Sequence, residues 1–97
     1  MLRHVVCLTF RAGTPPEAVD TLVDALRALP ETIPEIRGSS TGTDAGLSDG
    51  NAHLAIVAEF DDADGWRAYQ KHPEHQRVIT ELVRPIVDGR TAAQFEV

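Results

Sequence analysis

Cysteine is almost missing from this 97-residue chain: Cys7 stands alone, so no disulfide can form within it. It lies in the apolar run LRHVVCLTF, where a buried thiol is the ordinary outcome and a nucleophile the rare one. Basic side chains are scarce as well, nine against fifteen acidic ones, for a net charge of -6. With no basic patch, neither nucleic acid nor an anionic membrane surface is expected as a partner. No apolar run approaches the ~18–20 residues of a membrane span. The N-terminus reads directly into a strand rather than a signal peptide, so a cytoplasmic location is expected. Internal repeats and low-complexity segments are also lacking. What remains, 42% hydrophobic and 25% charged, is the composition of one soluble domain over residues 1–97.

Leu2 to Phe10 reads as a strand, with Leu2, His4, Val6, Leu8 and Phe10 on one face and Arg3, Val5, Cys7 and Thr9 on the other. Thr14-Pro15-Pro16-Glu17 then predicts an N-cap at Thr14 with Glu17 closing a capping box. The helix that follows carries Leu22, Leu26 and Leu29 in a stripe and is expected to stop at Pro30. A second strand, Arg37 to Thr43, has weak alternation and is placed by topology; DAGLSDGN over 44–51 reads as a loop. His53 to Phe60 is the clearest strand. Asp61-Asp62 supplies an N-cap for a helix carrying Trp66 and Tyr69. A further helix opens at Pro73 and sets His75, Val78, Ile79, Leu82, Val83 and Ile86 along one stripe, before a last strand over Thr91 to Val97.

This β-α-β-β-α-β order predicts an α+β, ferredoxin-like fold: an antiparallel sheet with its helices on one face. The helices can cover the face holding His4 and Phe10. Val5, Cys7, Ala55 and Val57 would then form an exposed apolar surface, and a second copy stacking sheet on sheet is its simplest cover.

The densest chemistry lies in Tyr69-Gln70-Lys71-His72-Pro73-Glu74-His75. Pro73 lacks an amide hydrogen and disfavours helical geometry at His72, so it should end one helix and begin the next. His72 is then expected to cap the new helix, while His75 heads its apolar stripe. The spacing His72-x-x-His75, with His4, is a weak metal signal, since a proline divides the pair and no helical His-Glu-x-x-His pattern accompanies it. Neither a metal nor another cofactor is expected.

The opening His4-Val5-Val6 strand, the Ile33-Pro34-Glu35-Ile36 turn, the strand ending Glu59-Phe60-Asp61-Asp62 and the Tyr69-x-x-His72-Pro73-x-His75 signature together resemble the stress-responsive α/β-barrel (Dabb) family. The resemblance spans nearly the whole chain and implies a ferredoxin-like subunit pairing into a dimeric α+β barrel. Its best-defined activity among similar proteins is that of olivetolic acid cyclase, which closes a linear poly-β-ketone thioester by aldol condensation. The resemblance implies Tyr69 and His75 as the catalytic pair, with His4 in the same cavity. It also places a cavity histidine near His53, yet His53 and Phe60 are an odd number of positions apart, which points them to opposite faces of an unbulged strand.

Aldol chemistry needs a base to take a proton from between two carbonyls and a donor to hold the developing enolate. Histidine and tyrosine are the right types. Two readings follow: a polyketide-cyclase-like enzyme acting on a hydrophobic carbonyl compound, or a non-catalytic, stress-responsive dimer that binds a ligand or another protein. Tyr69 filling the core and His72 closing a turn are the plain structural alternatives at those positions.

Overall fold

The computed structural model describes residues 1–97. Four antiparallel strands, β1 (Leu2–Phe10), β2 (Gly38–Thr43), β3 (Leu54–Phe60) and β4 (Val87–Glu96), lie in the order β2-β3-β1-β4. The helices α1 (Pro16–Thr32), α2 (Ala63–Lys71) and α3 (Pro73–Val78) follow the ferredoxin-like order, and α3 runs on into a π-helical turn over Ile79–Val83. No helix is long and apolar enough to cross a membrane.

Prolines set the helix boundaries, two of them differently from the expectation. Pro15 is extended (φ -66°, ψ 142°) and is itself the N-cap, with Pro16 as the first helical residue. Because Pro15 precedes Pro16 it cannot enter the helix, so Thr14 stands one residue too early to cap it. The Thr14 hydroxyl instead donates to the Arg11 carbonyl at 2.6 Å, and the capping box with Glu17 does not form. At the other end α1 runs through Pro30 to Thr32 and is stopped by Ile33, extended at φ -112°, ψ 95°. Pro34 imposes that geometry on Ile33. Burial of Leu26, Leu29 and Ile33 outweighs the hydrogen bond that Pro30 removes. Pro73 acts as expected: His72 is extended (φ -64°, ψ 134°), ending α2 and capping α3.

The alternation of β1 decides what each side of the sheet does. Leu2, His4, Val6 and Leu8 are buried beneath the helices and pair with Phe60, Ala58, Ile56 and Leu54 of β3. On the opposite face three cross-strand rows remain uncovered within the chain: Arg3–Glu59–Phe95, Val5–Val57–Ala93 and Cys7–Ala55–Thr91 aligned across β1, β3 and β4. Ala55, Ala93 and Phe95 are exposed, and Val5, Cys7 and Val57 half-buried. Arg3 closes one end of this surface, donating to Glu59 at 3.0 Å with its guanidinium carbon 5.8 Å from the centre of the Phe95 ring.

β4 starts at Val87, four residues before the expected Thr91. The reason is a shift in pairing: Thr9 opposes Gly89 while Phe10 opposes Val87, leaving Asp88 as an extra residue. Gly89 lies inside the strand, and a Cβ there would come within 3.3 Å of the Thr9 Cβ. Arg90 thereby becomes a strand residue opposite Leu8, on the same side of the sheet as His4.

Phe60, 0% exposed, sits where β3 turns into α2, its ring 5.1 Å from that of Tyr69. Truncating it to alanine leaves a cavity that neighbours on two layers cannot close. Phe60→Ala is predicted to lower stability by about 3–5 kcal/mol, read as a lower urea midpoint at fixed protein concentration.

Candidate functional site

A cavity of about 420 Å³ opens between the sheet and the helices. Its floor is the helix-facing side of β1, its roof comes from α1, α2 and α3, and the π-helical turn and β4 close the remaining side. His4, Tyr69 and His75 all line it, so the structure brings together the three residues singled out in the sequence. The size falls in the range of small-molecule pockets, roughly 300–1,000 Å³. A second hollow, of about 440 Å³, lies beside Cys7 and Ala55 on the uncovered face and carries no histidine or tyrosine.

The Tyr69-to-His75 stretch folds as its proline dictates. Asp62 caps α2 by accepting from the Gly65 amide at 3.0 Å, and the helix turns Tyr69 inward over Phe60 and His4. His72 caps α3, its Nδ1 accepting the Glu74 amide at 3.1 Å. One turn later His75 is buried, its ring 4.1 Å from that of Tyr69, centre to centre, at 48°. His72 and His75 therefore have separate tasks. No group of three or more His, Cys, Asp or Glu side chains is placed to hold a metal ion.

His4 projects from the middle of the sheet into this cluster, its ring 6.0 Å from Trp66 and 6.2 Å from Tyr69, each edge-on. Gln94 of β4 places its amide nitrogen 2.9 Å from Nδ1 of His4. With that nitrogen as donor, Nδ1 accepts, and a neutral His4 carries its proton on Nε2. Nδ1 of His75 is buried and has no hydrogen-bond partner, and neither has Nε1 of Trp66. The Tyr69 hydroxyl makes no hydrogen bond within the chain either. Buried polar groups are normally satisfied, so the free Nδ1 of His75, on a residue that lines the cavity, is a departure from an ordinary closed core.

Burial holds both cavity histidines below the ordinary imidazole pKa. For His4 the Arg90 charge and then His75 add to it; for His75 the Gln70 backbone opposes it, while Arg90 and His72 reinforce it. Burial likewise raises the Tyr69 phenol to about 12, against a smaller pull from Arg90. At pH 7 the cavity thus contains two neutral imidazoles and a neutral phenol, hence proton acceptors beside a donor.

His53 stays out of this cavity. It precedes β3, is exposed, and its Nδ1 accepts the Phe10 amide at 2.9 Å with the two rings 5.6 Å apart. Arg90 and Arg84, by contrast, line the cavity and were not anticipated in the sequence. Arg90 is placed by the pairing shift at Gly89. Arg84 follows the π-helical turn, whose wide i to i+5 closure is the bond from the Arg84 amide to the Ile79 carbonyl at 3.0 Å. Neither feature has a periodicity that could be read from residue types.

An antiparallel sheet under one layer of helices, with a polar cluster between them, defines a ferredoxin-like α+β protein with an internal cavity. Residues 2–97 match the Stress responsive A/B Barrel Domain (Dabb) family, and the chain belongs to it. A dimeric ferredoxin-like protein of unknown function from Thermobifida fusca is 36% identical, with a TM-score of 0.91, over 99% of this chain and 90% of that one. A dimeric ferredoxin-like protein of unknown function from Bacteroides fragilis is 25% identical, with a TM-score of 0.81, over 99% and 95%. The hydroxynitrile lyase of Passiflora edulis shares the fold at a TM-score of 0.86 but only 16% identity, over 99% and 92% of the two chains. No curated protein matches the chain.

The depressed histidines tie stability to pH with a definite sign. A group whose folded pKa lies below its unfolded value binds more protons when unfolded, so stability is complete above the unfolded value of 6.5 and falls as pH drops toward the folded pKa. Urea unfolding at pH 5 and pH 7.5 is predicted to show a lower midpoint at pH 5, and a smaller difference in the His4→Gln, His75→Gln double variant. An unchanged difference in that variant would assign the pH dependence to other groups.

Proposed function

We propose that the cavity binds a hydrophobic, carbonyl-bearing small molecule and that His75 and Tyr69 act on it as base and donor, in the manner of a polyketide cyclase such as olivetolic acid cyclase. One observation carries this reading: the Tyr69 and His75 rings lie 4.1 Å apart on the wall of a cavity of about 420 Å³.

The chemistry follows from the protonation states. Neutral His75 takes a proton from the carbon between two carbonyls, leaving an enolate whose oxygen accepts a hydrogen bond from the Tyr69 hydroxyl. That carbon attacks a second carbonyl of the same chain, a carbon–carbon bond forms, and the new alkoxide takes the proton back from the imidazolium. His4, held through Nδ1 by Gln94, orients the substrate.

The protein acts as a homodimer in this reading. The Val5–Val57–Ala93 row is an apolar sheet surface with nothing from its own chain over it, and the 36% identical Thermobifida fusca protein is dimeric. A second copy sealing the two sheets together buries both surfaces and leaves each cavity, on the opposite side of its own sheet, open to ligand.

Proton abstraction can be tested without knowing the natural substrate. Nonane-2,4-dione in D2O is predicted to exchange at C3 faster with the protein than in buffer, with His75→Gln slowing the catalysed rate by about 10²–10⁴-fold and Tyr69→Phe slowing it less. Binding of the dione with no exchange above buffer would favour the non-catalytic ligand-binding module over the enzyme. Separately, Val57→Lys places a charge at the centre of the sheet surface; sedimentation equilibrium is expected to show a dimer for the parent protein and a monomer for the variant.

A further inference from the structure

The chain has a net charge of -6, yet its cavity is lined without a single aspartate or glutamate and with two arginines, Arg84 and Arg90. The other arginines are occupied. Arg3, Arg37, Arg67 and Arg77 hold carboxylates, and Arg11 and Arg27 donate to backbone carbonyls. Arg84 and Arg90 alone make no side-chain hydrogen bond or ion pair. Fifteen acidic side chains were available to neutralise them, and none is placed to do so.

Both are exposed residues that also line the cavity, which puts their guanidinium groups at its open side. Their backbone settings are firm. Arg90 is fixed in β4 opposite Leu8, on the same face as His4 and Gln94, and the Arg84 amide closes the π-helical turn. The lining also includes aliphatic side chains, Val6, Leu8, Ile79, Val83 and Val87 among them, and two amides, Gln70 and Gln76. The Arg90 charge is felt at all three interior groups. The cavity therefore combines neutral hydrogen-bonding groups, apolar surface and, on its exposed lining residues, cations that no carboxylate neutralises.

We infer that the molecule this cavity takes carries an anionic group, a carboxylate or a phosphate, on an apolar chain, and that Arg90 and Arg84 hold that group at the cavity mouth. This rests on the small-molecule reading of the cavity and narrows it to an acid or a phosphate-bearing carrier ester. Guanidinium suits either anion because its donors are fixed in a plane and can be shared bidentately with two oxygens. A rim cation also leaves the interior histidines neutral, so recognition and proton abstraction do not compete for one residue.

Titration calorimetry with octan-1-ol, octanoate and octyl phosphate, three probes with one apolar chain, tests this at pH 7.5 and fixed salt. The parent protein is expected to bind at least one anionic probe about tenfold more tightly than the alcohol, and the tighter of the two anions identifies carboxylate or phosphate as the source. Arg90→Gln with Arg84→Gln should bring the anion to the affinity of the alcohol while alcohol binding stays as it was, which also shows the fold intact. Arg90→Lys should keep part of the preference, and His75→Gln all of it. Equal binding of the three probes by the parent protein would overturn the anion site and leave the cavity reading standing. An anion preference that survives the double arginine variant would overturn the assignment to these residues. If none of the probes bound, both the anion site and the small-molecule reading would fall together.

Discussion

The residue before a proline is pushed out of helical geometry, and much of this structure hangs on that constraint. Pro16 keeps Pro15 extended and sets where α1 begins; Pro34 does the same to Ile33 and sets where it ends. Pro73 has the largest consequence. A continuous helix through residues 63–78 would carry Tyr69 and His75 on faces about 120° apart, since six residues at 3.6 per turn exceed one turn and a half. The break at His72 redirects the chain and brings the two rings to 4.1 Å. His72 stabilises the break it undergoes, because its extended backbone frees Nδ1 to accept the Glu74 amide.

The polar cluster created there is costly to the fold. Nδ1 of His75 and Nε1 of Trp66 are buried without partners, and each such group costs about 1–3 kcal/mol of desolvation. The surrounding layers offset this. Leu22, Ile33 and Phe60 are completely buried, and a fully buried side chain of that kind contributes roughly 1.5–3 kcal/mol. The histidines limit the cost by remaining neutral, as burial dictates. A closed core would have replaced them with aliphatic side chains at no loss of stability, so their presence beside open volume is what gives the functional reading its weight.

What could be read from the sequence was local, and what could not depended on pairing. The two faces of β1 follow from alternation alone, and they correctly separate the buried His4 face from the uncovered Val5 and Cys7 face. Pro73 and His72 could be read because a proline acts on its immediate neighbour. The same rule, applied to Pro16 and Pro34 instead of Pro15 and Pro30, gives the true limits of α1. Arg90 was beyond reach. Its place depends on Asp88 being left unpaired between Thr9 and Phe10 of another strand, and nothing in DGRTAAQFEV specifies that register. Arg84 depends likewise on a π-helical turn, which has the same residue types as an α-helical one.

The pairing shift also explains how one strand can serve two surfaces without compromising either. A slip of one residue would exchange the faces of a strand, since side chains alternate with a period of two. Between β1 and β4 the slip occurs only at Thr9 and Phe10, beyond the rows that hold His4, Val6 and Leu8 on one side and Val5 and Cys7 on the other. From Leu8 back to Leu2 the register is unbroken with both β3 and β4. The irregularity is thus confined to the end of the strand where His53 accepts the Phe10 amide and where Arg11 donates to the carbonyls of Arg84 and Pro85. Those contacts tie the turn after α3 to the end of β1 and fix the cavity rim to the sheet. The regular part of β1 can then present the cavity floor and an apolar outer surface at the same time, because its alternation is never interrupted between them.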